Sequence, residues 1–245
     1  MNVLEVKGLS VKVENKLILK DLDFSIKEGT SQILFGPNGS GKTTLINTLM
    51  GLPNYEVISG EILFQGVKIT DKAVDERAKL GMIAGFQNPP EITGIKLGDL
   101  LKLCLGKTDK DEFNSEEMSL IETFRLTSFL KRDINVGFSG GEKKRSEILQ
   151  LIFLKPKLLL LDEPDSGVDV ESLRMISIEI QRYLESSRSS AFIITHKGDI
   201  LEYVKADYGC ILLDGQFHCF TNPMNIYSDI KKLGYEECIA CRRRI

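Results

Sequence analysis

An α/β fold is what this sequence predicts, on three observations. The stretch Gly36-Pro37-Asn38-Gly39-Ser40-Gly41-Lys42-Thr43 has two glycines separated by four residues, then Lys and a hydroxyl residue; it lies between a buried strand-like run at 32–35 and helical apolar spacing from Thr44 to Met50. The run Leu158-Leu159-Leu160-Leu161 is too continuous for an exposed strand, so it belongs at the centre of a covered sheet, and it ends in Asp162-Glu163. Residues 3 to 35 alternate apolar and polar around short turns, which reads as an antiparallel β region leading into the P-loop strand. At 245 residues the chain fits one large α/β domain, or a core with a smaller lobe.

In chain order, the first strands fall at 3–6, 9–13 and 17–26, and a further strand at 60–64 ends in the hairpin turn Gln65-Gly66. Residues 72–80 have helical spacing, and 81–86 return to a buried strand that delivers Gln87 into the loop Gln87-Asn88-Pro89-Pro90. From Ile95 to Lys131 the pattern is helical with little strand signal, carried by Leu97, Leu100 and Leu101, then Met118, Ile121, Phe124 and Leu126. That lobe ends at Ser139-Gly140-Gly141, after which a helix runs through Ile148, Leu149, Ile152 and Phe153 to Pro156. Beyond the leucine strand, a helix at 171–184 buries Leu173, Ile176, Ile180 and Leu184, and 191–195 is the next strand, tipped by His196. Ile211 to Phe217 reads as a hairpin built on Asp214-Gly215, followed by a short helix and a cysteine-containing tail.

The glycine-rich loop carries the first chemistry. Gly36, Gly39 and Gly41 let the backbone curl so that successive N–H groups face phosphate oxygens, reinforced by the positive end of the following helix. The expected ATP-binding set is Gly36 to Thr44, that is Gly36, Pro37, Asn38, Gly39, Ser40, Gly41, Lys42, Thr43 and Thr44, with Lys42 on the β- and γ-phosphates. Thr43 and the strand-end Asp162 are expected to hold Mg²⁺. Glu163, one residue further, is placed to orient or deprotonate an attacking water, and His196, ending a neighbouring strand, to contact the γ-phosphate.

The balance of 32 basic and 35 acidic residues argues against a nucleic-acid-coating surface. No leader pattern opens the chain and no apolar run approaches membrane-spanning length, so a cytoplasmic protein without membrane insertion is expected. The five cysteines are an odd number in such a chain, which makes reduced thiols the expectation. Cys238-Ile239-Ala240-Cys241 has metal-ligand spacing but lacks the second pair of a zinc site, and Arg242-Arg243-Arg244 reads as a solvated tail.

Taken together, the P-loop, Gln87, Ser139-Gly140-Gly141, Asp162-Glu163, Ser166-Gly167-Val168-Asp169 and His196 follow one another as in an ATP-binding-cassette ATPase, and the chain resembles that family over essentially its whole length. The resemblance implies a RecA-like core with an antiparallel β subdomain (1–88 and 142–245) and an inserted helical subdomain (89–141). It implies Gln87 as a catalytic residue and Mg²⁺ ligand beside Lys42, Glu163 and His196. Two subunits would sandwich ATP head to tail in a transient, ATP-dependent homodimer. Ser139, Gly140, Gly141 and Glu142 would then serve the partner's nucleotide, with Ser166, Gly167, Val168 and Asp169 lying across the seam.

Within that family Phe86-Gln87-Asn88-Pro89-Pro90-Glu91-Ile92, Asn135 to Arg145, Tyr55-Glu56-Val57 and Asp165 to Asp169 resemble the SufC-type ATPases of the SUF iron–sulfur cluster assembly machinery. Phe138 and Glu142 stand where a transporter cassette more often carries Leu and Gln. This resemblance implies a motor for a scaffold of SufB with SufD, or of SufB alone, and the alternative is the nucleotide-binding subunit of a transporter. A nucleotide-gated interaction module is a third reading, against which Glu163 and His196 speak. Residues 11–17 hold no aromatic to stack on adenine. Lys144 is expected to pair with Glu163 and turn it from the water until dimerisation.

Overall fold

The computed structural model describes residues 1–240, apart from the side chains of Cys219 and of residues 236–240. Cys238, Cys241 and the run Arg242-Arg243-Arg244 therefore lie outside the described side chains. The chain begins with two long antiparallel strands, β1 (Asn2–Val13) and β2 (Lys16–Lys27), turned through Glu14 and Asn15 at positive φ. The interruption expected between residues 6 and 9 is a register shift within one strand, with Gly8 at φ 57°. After β3 (Ser31–Phe35) and α1 (Lys42–Met50), β4 (Glu56–Phe64) and the short β5 (Val67–Lys68) complete a sheet of order β2-β1-β4-β5. The turn between β4 and β5 is Gln65-Gly66, as predicted, and both residues take positive φ.

The helix α2 (Val74–Leu80) leads into β6 (Met82–Gly85). The following lobe contains α3 (Leu97–Cys104), α4 (Ser115–Thr123) and a single 3₁₀ turn at Thr127–Phe129. Within 95–131 the strand content is limited to Ile95 and Lys96, the end of β7 (Ile92–Lys96), which pairs antiparallel with β8 (Asp133–Ile134) just past the lobe, a ladder that the sequence did not announce. Lys96 Nζ lies 2.7 Å from Asp133, whose other oxygen accepts from the Gly94 N–H, so polar side-chain contacts reinforce a ladder too short to show as alternation.

The rest of the chain is α5 (Gly140–Phe153), β9 (Leu158–Asp162), α6 (Val170–Ser187), β10 (Ser190–Ile194), the hairpin β11 (Tyr208–Leu213) and β12 (Gln216–Thr221), and α7 (Pro223–Ala240). The final helix is longer than expected and is kinked at Gly234 (φ 80°). The main sheet has the order β12-β11-β3-β10-β9-β6, parallel except at the β12 edge. Its central strands are covered on both faces. Leu159 and Leu161 join the core under α5 and α6, while Leu158 and Leu160 join the core shared with α1 and the antiparallel sheet. Period-two alternation between two buried faces explains why β9 reads as an unbroken apolar run. Because β3, β9 and β10 are parallel neighbours, Gly36, Asp162 and Thr195 emerge from the same sheet edge, where ligands of open parallel sheets bind.

Candidate active site

The loop after β3 is built for close backbone approach. Gly39 (φ 81°) and Gly41 (φ 106°) occupy the left-handed region, and a Cβ on Gly36 would lie 2.5 Å from the Leu212 carbonyl oxygen and 2.6 Å from Ser40 Oγ. No side chain caps α1, so its first N–H groups stay available to an anion. Lys42 is 5% exposed, and its Nζ donates to the carbonyls of Gly36 (2.8 Å) and Pro37 (2.9 Å), folded back over the loop. Burial lowers the Lys42 pKa, opposed by the nearby charges of Glu163 and Asp162.

Asp162, at the end of β9, accepts from Thr43 Oγ1 through Oδ2 at 2.8 Å, while its Oδ1 is buried with no hydrogen-bond partner. Burial raises this carboxyl above its usual range, and the Thr43 hydrogen bond opposes the rise. An orphaned carboxylate oxygen beside a hydroxyl is a hard-oxygen set that fits Mg²⁺. Ser40 Oγ is also buried without a partner, as a phosphate-facing donor in this loop would be.

Glu163 follows at φ 49°, a left-handed conformation uncommon for a non-glycine residue and typical of functional turns. Its Oε2 accepts from Gln87 Nε2 at 2.9 Å, and its Oε1 lies 3.1 Å from His196 Nδ1, outside hydrogen-bond alignment. The turn carrying His196 is set by Thr195, whose hydroxyl donates to Asp165 (2.6 Å) and accepts from the N–H groups of Lys197 and Gly198. Burial raises the Asp165 carboxyl, with the Thr195 hydrogen bond opposing. Lys42, Thr43, Gln87, Asp162, Glu163 and His196 thus meet in one cluster, with Pro37, Asn38 and Thr44 on the same loop and helix start.

A second group gathers at the start of α5. Ser139 is its N-cap: the hydroxyl accepts from the Glu142 N–H (3.3 Å), and the Glu142 carboxylate accepts from the Ser139 N–H (2.7 Å), a closed capping box. A Cβ on Gly140 would lie 2.5 Å from the Gly167 carbonyl oxygen, and one on Gly141 would lie 2.5 Å from Ser172 Oγ and 2.6 Å from Asp169 Oδ2. The loop of Ser166, Gly167, Val168 and Asp169 therefore packs on Gly140 and Gly141 through Gly167 and Asp169. Asp169 caps α6 through the Ser172 N–H, and Val170 beside it is 79% exposed.

The expected Lys144–Glu163 pair is corrected. Lys144 Nζ lies 3.0 Å from Glu147 and donates to the Phe86 carbonyl at 2.5 Å. Glu147 is one helical turn away and equally buried, so it satisfies the ammonium first, and Glu163 is left to Gln87 and His196. Sequence reading also missed Asp165, Thr195, Glu147 and Tyr235. The kink at Gly234 brings Tyr235 to the P-loop, its hydroxyl buried near the Gly36 backbone without a well-formed hydrogen bond, and burial raises this phenol. Only Thr195 and Asp165 had a signal, a polar residue just after β10 beside His196 and a carboxylate three residues past the end of β9 beside Ser166.

A family model described as ABC transporter matches residues 19–166. The chain belongs to the ABC transporter ATP-binding cassette family. As such it is a P-loop ATPase that binds ATP with Mg²⁺ and hydrolyses it. A probable ABC transporter ATP-binding protein of Streptococcus pyogenes serotype M3 is 39% identical, with 96% of this chain and 94% of the relative covered. A probable ATP-dependent transporter, ycf16, of Pyropia yezoensis is 41% identical, with 96% of each covered. Among solved structures, the ADP conformation of an ATP-binding cassette of an ABC transporter is 26% identical with a TM-score of 0.74, covering 94% of this chain and 96% of that one. A nucleotide-free cassette from an ABC transporter, 24% identical, shares the fold with a TM-score of 0.77 over 97% of this chain and 98% of that one. A dimeric bacterial cassette, 22% identical, shares it at 0.75 over 89% and 98%. Among the described residues no helix of the cassette is long and apolar enough to cross a membrane.

Proposed function

We propose that this cassette is the ATPase motor of a SUF-type iron–sulfur cluster assembly complex, dimerising head to tail on ATP and reshaping a scaffold of SufB with SufD, or of SufB alone. The observation that carries this reading is the segment Asn135 to Arg145 around the start of α5. Phe138 is buried in edge-to-face contact with Phe129, with the Arg132 guanidinium 4.8 Å from both rings, and Glu142 closes the capping box. The two residues that depart from the transporter pattern thus shape the start of α5. Phe86 beside Gln87, Ile92 and Ile95 on β7 and Leu103 on α3 are exposed apolar side chains of the kind a scaffold would cover.

In this mechanism the backbone N–H groups from Gly39 to Thr43 hold the phosphates, and Lys42 leaves the Gly36 and Pro37 carbonyls for the β- and γ-phosphates. Thr43, Asp162 and Gln87 would hold Mg²⁺, which supplies charge neutralisation at the β- and γ-oxygens. Glu163 accepts the proton of the attacking water, oriented by Gln87, and His196 faces the γ-phosphate. Ser139, Gly140 and Gly141 complete the partner's site. Gly140→Ala tests this last step, because its Cβ meets backbone at Gly167 rather than a movable side chain. ATP affinity of the lone subunit, read by a fluorescent nucleotide, is expected to hold, while turnover falls about tenfold or more, as overpacking at the seam requires.

The streptococcal relative, a probable ABC transporter ATP-binding protein, favours a second reading, the nucleotide-binding subunit of a transporter. Purifying the tagged chain from its native cells, with and without detergent, separates the two. Co-purification of SufB- or SufD-like proteins that stimulate ATPase activity is expected; recovery of a polytopic membrane protein instead would establish the transporter role.

A further inference from the structure

The corrected partner of Lys144 lies inside a larger arrangement. Lys144 and Glu147 sit one turn apart on α5, 4% and 5% exposed, and together hold both backbone groups of Phe86. The Phe86 N–H donates to Glu147 Oε1 and the Phe86 carbonyl accepts from Lys144 Nζ, each at 2.5 Å, while Glu147 Oε2 and Lys144 Nζ are 3.0 Å apart. The Phe86 side chain takes no part, since it is 63% exposed. A buried ion pair spent on one peptide position is costly where an apolar pair would pack as well, so its use lies in fixing that backbone. The next residue is Gln87, whose amide donates to Glu163.

Two more contacts tie the same loop to the same segment. Asn135 Nδ2 donates to the Pro90 carbonyl at 2.8 Å, and Lys143 Nζ pairs with Glu91 at 2.8 Å. The loop 86–91 is therefore held at its start, Phe86, and at its end, Pro90 and Glu91, by residues 135–147. Those holding residues flank Ser139, the N-cap that faces outward at the start of α5.

We propose that the buried Lys144–Glu147 pair is a positioning clamp, which fixes Gln87 against Glu163 and makes that position follow the start of α5. A displacement of the α5 start is carried by the clamp to the Phe86 peptide and so to the Gln87 amide. Neither clamp residue touches nucleotide; both act through Gln87. The inference rests on the roles proposed for Gln87 and Glu163, and its test separates the two.

The test is the full-length double variant Lys144→Met/Glu147→Leu, which removes both buried charges at near-constant volume and so leaves no unpaired charge behind. Hydrogen exchange by NMR reads the Phe86 amide directly. Its exchange is expected to accelerate roughly 10- to 100-fold, the loss of a hydrogen bond to a charged group, with β9 and β10 amides unchanged. In steady-state assays kcat should fall about tenfold or more at constant KM for ATP, because misplacing a positioned group costs turnover rather than P-loop binding. Unchanged Phe86 exchange would overturn the clamp, as would faster exchange with undiminished kcat. Faster exchange across β9 and β10 as well would reduce the pair to a fold-holding role and overturn it too. If the roles of Gln87 and Glu163 were wrong, Glu163→Gln would keep full activity whatever the Phe86 amide does.

Discussion

Glu163→Gln is expected to lower ATP turnover by roughly 10²–10⁴-fold, the loss of a positioned general base, with ATP binding unchanged. Its side chain is 8% exposed and held between Gln87 and His196, so it cannot be replaced by a freely moving neighbour. Gln keeps the shape and tolerates the backbone at φ 49° as Glu does, so the variant isolates proton acceptance from folding. The P-loop contacts of Lys42 do not involve this side chain's oxygens, which is why binding survives. With hydrolysis blocked, size-exclusion chromatography in Mg²⁺ and ATP should show an ATP-bound dimer that the parent chain forms only in passing. Phosphate release at the parent rate would remove Glu163 from the reaction and move the base elsewhere in the cluster.

Most of this architecture could be read before any coordinates, for identifiable reasons. The P-loop is legible because left-handed backbone at Gly39 and Gly41 and close approach at Gly36 leave no alternative to glycine. The strand β9 is legible because burial on both faces demands an apolar residue at every step. The Asp214-Gly215 hairpin is legible because both residues take positive φ. What escaped was decided by tertiary contact. Sequence reading pairs Lys144 with Glu163 at a strand end and overlooks Glu147 on its own helix, because only the buried seating of Glu147 against Phe86 makes it the partner. The ladder β7–β8 joins segments far apart in sequence, with two residues on its shorter side, too few for any periodicity. The turn at Gly234 hides the reach of α7, so Tyr235 carried no sign of its place beside the P-loop.

Asp162→Asn is expected to separate metal binding from fold stability more cleanly than any change in the P-loop. Asp162 Oδ1 is buried without a hydrogen-bond partner, and burial pushes the carboxyl upward, so the fold disfavours the ionised form. Removing the charge relieves that desolvation, while Asn retains an oxygen for the Thr43 hydroxyl seen at 2.8 Å. The apo variant should therefore melt at or above the parent temperature at neutral pH. Nucleotide reverses the order. At Mg²⁺–ATP near 100 times Kd the parent gains ~2.7 kcal/mol by mass action, and the variant should forfeit the share that depends on metal. Thermal melts with ATP alone and with ATP plus Mg²⁺ read the two contributions separately. ATP alone should stabilise both chains equally, because Lys42 and the loop amides are intact, and addition of Mg²⁺ should raise only the parent. An equal rise in both would mean that Thr43 and Gln87 hold the cation without Asp162. The orphaned oxygen would then be strain stored in the apo fold rather than a coordination site.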